Sequence, residues 1–232
     1  MFTPTASYAR RRIIQTAILA GLPSSTVWAL SIPGITDAEA SSGLKAALEK
    51  AGTAAISNLG KADGFLGNPA VRIPLPGFLE QASKLGKILG LDKQIQELTV
   101  AMNRAAEAAV PLAKDLVVGA ARSLTVTDAK NILTGGQTSV TEFFKTKTSA
   151  PLFTKFLPIV NQTVSKLGLA KQYDSLAAKL PVKGNDAKIE NYVTQKSLDG
   201  MFHMIGQQEV AFRNNPLGAG GGVISKVFGA IK

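Results

Sequence analysis

Apolar residues recur along most of this chain at steps of three and four, which predicts helices almost throughout. Leu44, Leu48, Ala51, Ala55 and Leu59 share one helical face. Thr36 should open that helix, because Glu39 follows three residues later in capping-box spacing, and Gly60 should stop it. Between Lys61 and Gly77 the helical period is lost. Gly64, Gly67, Pro69, Pro74, Pro76 and Gly77 punctuate an extended segment, AVRIPLP. It predicts either one short strand or a stretch lying across the domain, since proline has no amide to give a central ladder.

Helices are expected again from Phe78. One runs to Leu89 and ends at Gly90; the next is capped by Asp92 and carries Ile95, Leu98, Met102, Ala105 and Ala109 on one side. Pro111 should kink it or begin a successor. Thr127 and Asp128 open a short helix to Leu133. Three helical stretches follow, separated by Pro151 and Gly168 and closed by Pro181. Asp186 should cap the longest late helix, through about Arg213, whose apolar positions mix two faces as in a helix buried on more than one side. The run GAGGG reads as a flexible link before a last apolar turn, VISKVFGAI. The expectation is an all-α, bundle-like single domain over residues 34–232, with one extended proline-rich segment.

Residues 1–31 follow another pattern. An arginine triplet, Arg10 to Arg12, precedes about ten mostly apolar residues from Ile13 to Leu22, then Pro23 and a small-residue stretch. A run that short falls well below the roughly 20 residues a membrane-spanning helix needs. Its flanks predict a cleavable signal peptide, cut after Ala29 or Ser31, and Arg-Arg-x-Ile-Ile resembles the twin-arginine export motif. The expected location is therefore the periplasm or cell envelope.

Composition adjusts this picture in three ways. A 45% apolar fraction is ample for a core, and the preference for Ala and Leu over aromatics, which are 6%, favours helices over sheets. The absence of cysteine excludes disulfides, thiol catalysis, cysteine zinc sites and a lipobox. The formal charge is +10, of which Arg10, Arg11 and Arg12 supply three, so the chain without them keeps a moderate positive balance. That suits weak attraction to an anionic membrane surface and does not call for nucleic acid.

Several segments resemble domain-of-unknown-function family 4197, a family of exported bacterial proteins: ADGFLGNPAVRIPLP, MNRAAEAA, TDAKNIL with Gly135, TEFFKTKT, and YVTQKSLDGMF followed by QEVAFRNNP. They span nearly the whole chain after residue 34, in the family's order. The resemblance implies a helical, signal-bearing protein and no particular activity. The chain departs from the family pattern at Lys145, where arginine is commoner, and lysine lacks arginine's bidentate geometry for an anion.

Candidate chemistry is sparse. Asn103 and Glu107, four apart on an alanine-rich helix beside Arg104, form either a polar site or a hydrogen-bonded pair that locks two helices. Asp199 and His203 have the same spacing, and His203 is the only histidine, hence the only side chain that ordinarily titrates near neutrality. Glu209 and Arg213 read as a helix-terminal ion pair. From Phe143 to Lys171, Phe143, Phe144, Phe153 and Phe156 alternate with Lys145, Lys147, Lys155, Lys166 and Lys171. That is a surface-binding candidate, or a core face with solvated lysines. The chain contains no phosphate loop, H-E-x-x-H, G-x-S-x-G or EF-hand loop, so no metal or cofactor is expected. A non-catalytic envelope protein binding an amphiphilic ligand or another envelope protein is the first expectation. The alternatives are a hydrolase-like enzyme using Asn103, Glu107, Asp199 and His203, and a peripheral membrane protein acting through the Phe143–Lys171 segment.

Overall fold

The first helix, α1 (Asp37–Leu59), begins where its capping box places it. The Glu39 amide donates to Thr36 Oγ1 at 3.1 Å, and the Thr36 amide donates to the Glu39 carboxylate at 2.9 Å. Lys226 also bonds Glu39, and these partners, the lysine first, hold its carboxyl at a pKa of about 2 instead of 4.5. The computed structural model describes residues 32–77, 79–80, 90–179 and 188–231, and all regular structure among them is helical. The expected signal peptide, nearly all of the helix expected at 78–89, and Asp186 lie outside the described residues.

The helices that follow are α2 (Asp92–Ala109), α3 (Lys114–Ser123), α4 (Ala129–Leu133) and α5 (Ser139–Lys166), then α6 (Leu169–Ala177), α7 (Ile189–Asn214) and α8 (Gly222–Gly229). Asp92 is the first residue inside α2 and not its cap; that position belongs to Leu91, which makes no side-chain cap bond. Pro111 sits in a short 3-10 turn, Val110–Ala113, and the chain restarts as α3, in line with its missing amide. Buried side chains form one contiguous core. Its two spines are α1 against α3, α7 and α8, and α5 against α7 and α2.

Two further readings need correction. Pro151 does not divide two helices: α5 is continuous from Ser139 to Lys166, with Pro151 and Pro158 inside it. Each proline costs a helix interior about 3 kcal/mol. Both are exposed, seven residues apart, while Phe144, Leu152 and Phe156 are buried on the other side. Burial of each such side chain contributes roughly 1.5–3 kcal/mol, so packing on both sides of the prolines outweighs the local break. The glycine run is likewise no loose link. Gly220, Gly221 and Gly222 take φ of +95°, +76° and +65°, a turn that glycine adopts without strain. It is pinned by the Lys50 ammonium on the Ala219 carbonyl at 2.5 Å. The last apolar turn is thereby a core helix, with Val227 and Phe228 fully buried.

The segment 61–77 contains no strand and lies across α2 and α7. Phe65 and Ile73 anchor it in the core. The Tyr192 hydroxyl on α7 donates to the carbonyl of Pro74 at 3.0 Å. Burial, helped by Glu80, pushes this phenol up to about 12.

Candidate functional site

Asn103 and Glu107 stand one turn apart on α2, facing segment 61–77. The Asn103 amide imitates a strand: its Oδ1 accepts from the Ile73 amide at 2.8 Å, and its Nδ2 donates to the Ile73 carbonyl at 3.0 Å and back to Thr99. Glu107 Oε1 accepts from the successive amides of Phe65 and Leu66, both at 3.0 Å. Its Oε2 accepts from Arg104 at 2.6 Å, and Arg104 continues to Asp63 at 2.8 Å. The guanidinium pKa is raised, first by the Glu107 hydrogen bond. Beyond α2 itself, the partners of both side chains are backbone groups of the extended segment and not a second helix. The pair occupies polar groups that an irregular stretch cannot satisfy for itself where it is buried, at Phe65 and Ile73.

The ion pair expected of Glu209 and Arg213 forms at 2.7 Å near the end of α7, and Glu209, 3% exposed, proves to be a second buried carboxylate. It accepts from the amides of Val140 and Thr141 at 3.1 and 2.8 Å and from the Thr141 hydroxyl at 2.8 Å, so it caps the start of α5. Arg213 holds it at 2.7 Å, bonds the Leu133 carbonyl and the Ser139 hydroxyl, and lies over the Phe228 ring at 5.5 Å. The only trace in the sequence is a pair of opposite charges among apolar neighbours in a late helix.

Asp199 and His203 belong to the exposed edge of α7. Gln195 donates to Asp199 at 3.0 Å, and His203 contacts Gln207 at 3.0 Å, each one turn away. They border a groove of about 500 Å³ against α5, whose wall includes Glu142, Lys145 and Phe202. A smaller hollow of about 270 Å³ lies between them and Ala70–Pro74. Neither has Asn103 or Glu107 on its wall, so the four residues of the hydrolase-like alternative do not converge on one space. Among the described residues, no three histidine or carboxylate side chains stand together as a metal would require.

The surface-binding set divides three ways. Phe144 is fully buried and meets Phe202 edge-on at 5.8 Å, so it is a core residue and not a surface one. Lys145 lies over the same Phe202 ring at 5.9 Å, beside the α5–α7 groove. Phe143, Lys147 and Lys155 line a larger hollow of about 710 Å³ between α3 and α5. Leu116, Ala120, Leu124 and Leu152 supply its apolar wall, and Ser123, Thr125, Thr127 and Thr148 its hydroxyl groups. Lys147 lies over Phe143 at 5.9 Å. No helix among the described residues is long and apolar enough to cross a membrane.

A family model described as "Protein of unknown function (DUF4197)" matches residues 34–229, from the turn before α1 to the end of α8. No curated protein and no solved structure matches the chain.

Proposed function

Since the chain belongs to this family of proteins of unknown function, its role has to come from its own side chains, and we propose that it is an exported, non-catalytic binding module of the cell envelope. The α3–α5 hollow is its ligand seat, and the ligand is amphiphilic. The observation that carries this reading is the hollow itself. Its volume lies within the roughly 300–1,000 Å³ of small-molecule sites, and its lining is amphiphilic, apolar side chains such as Leu116, Phe143 and Leu152 beside hydroxyl and lysine groups. Binding is favoured over catalysis because Asn103 and Glu107 are engaged by backbone, while Asp199 and His203 are held in neighbouring-residue contacts along an exposed helix edge. Export is supported by the three-zone pattern of residues 1–31.

Native mass spectrometry of the protein purified from its own envelope fraction tests both parts. It should show a chain beginning at Leu30 or Ile32 and carrying a lipid-like adduct. Retention of Met1 would overturn export, and a bare polypeptide in every charge state would overturn the ligand reading.

A further inference from the structure

Glycine inside a helix weakens it relative to alanine, so an internal glycine calls for a reason. Packing supplies one at three positions. A Cβ at Gly43 would fall 2.6 Å from the Val227 side chain, one at Gly200 would fall 2.7 Å from the Phe65 ring, and one at Gly52 would fall 3.2 Å from Val117. Gly119, within α3, is different: a Cβ there would meet nothing within 4 Å. The residue lies on the wall of the α3–α5 hollow, so the absent side chain leaves space in the hollow and serves no contact of the fold.

Positive charge is in excess at the same hollow, where Lys147 and Lys155 stand against the single carboxylate of Asp115. Arg104, Arg122, Lys130, Arg213 and Lys226 each reach a carboxylate, whereas Lys147 and Lys155 reach none among the described residues. The one acid on the wall, Asp115 on α3, lies within electrostatic reach of Arg122. Lys147 and Lys155, both exposed, stand two turns apart on α5 along the same wall, roughly 12 Å along its axis.

We propose that the hollow takes a single-chain amphiphile with an anionic head group, the head between Lys147 and Lys155 and the tail along Gly119, Leu116, Phe143 and Leu152. This rests on the reading of the hollow as the ligand seat. Isothermal titration of the full chain with dodecanoate, dodecyl maltoside and acetate, each below any micelle threshold, tests it. Dodecanoate should bind and acetate should not. Binding should weaken as salt rises. Lys147→Gln with Lys155→Gln should weaken it about tenfold, from two exposed ionic contacts, while Lys166→Gln, outside the hollow, changes nothing. Gly119→Leu should abolish it. Gly119→Ala, a better helix former with room for its methyl group, should raise Tm while lowering affinity.

If dodecyl maltoside binds as tightly as dodecanoate and Gly119→Leu abolishes both, the anionic class is wrong and the seat stands. An unchanged affinity in the double lysine variant also overturns the anionic class. If Gly119→Leu and Gly119→Ala leave binding untouched, or neither dodecanoate nor dodecyl maltoside binds, the seat itself is wrong and the proposal falls with it; binding of dodecyl maltoside alone overturns the anionic class.

Discussion

Glu107 and Glu209 are built alike and protected differently. Each accepts from two successive backbone amides with one oxygen or both, and each holds an arginine of its own helix within one turn. The difference lies in where the arginine goes next. Arg104 is 39% exposed and ends on Asp63, itself mostly in water. Arg213 is 13% exposed and ends on a carbonyl, a hydroxyl and an aromatic ring. The first carboxylate ties one irregular segment to α2. The second joins the end of α4, the start of α5, α7 and α8. The same residue types at the same kind of spacing thus make a local clamp in one place and a hub in the other, and solvent access to the arginine decides which.

Substituting both glutamates identically gives the largest expected effect. Glu209→Ala leaves a guanidinium in a dry site and two amides without partners, and should destabilise by about 3–5 kcal/mol in urea melts. Glu107→Ala frees Arg104 to turn to water and Asp63, and should cost about 1–3 kcal/mol. For a chain of this size a gap of ~2 kcal/mol is roughly 4–8 °C in Tm. Equal losses would erase the distinction, and a neutral Glu107→Ala would remove the case for a structural role there.

The arginines sharpen it further. Arg213→Lys should destabilise clearly, because lysine cannot reproduce the forked contacts to Glu209, Leu133 and Ser139. Arg104→Lys should cost less in the same thermal melts, since its pair with Asp63 is exposed and contributes about 0–1 kcal/mol, and a half-exposed lysine keeps a positive charge beside Glu107.

Segment 61–77 offers a smaller effect with a pH signature. The Tyr192 phenol is raised from 10.0 to about 12 by burial, so the unfolded chain releases its proton first. The associated stability is complete below pH 10 and falls as pH rises from about 10 to about 12. Tyr192→Phe should flatten that stretch of the stability profile and lose about 1 kcal/mol at neutral pH, with the bond to Pro74. At the bottom of the scale, His203→Ala should stay within about 0.5 kcal/mol of wild type, as its side chain is exposed and its hydrogen-bond contact is with Gln207, one turn away.

Much of the architecture was legible in the chain. The Thr36–Glu39 box, the stop at Gly60, the restart after Pro111 and the break at Gly168 are set by interactions within four residues, and those are written in order along the sequence. The Asn103–Glu107 pairing could be suspected from two polar residues on an alanine face, but not its partners, which lie 30 and 42 residues away. Tertiary structure alone decided the rest. Pro151 is a helix breaker by local chemistry, and it is overruled because Phe144, Leu152 and Phe156 bury against helices from distant parts of the chain. Glu209 has the spacing of a solvated ion pair, and it becomes the cap of α5 because folding brings Val140, 69 residues earlier, onto its carboxylate. Helix periodicity specifies which face turns inward, whereas the identity of what meets that face depends on contacts between residues far apart in the chain, and no local pattern encodes them.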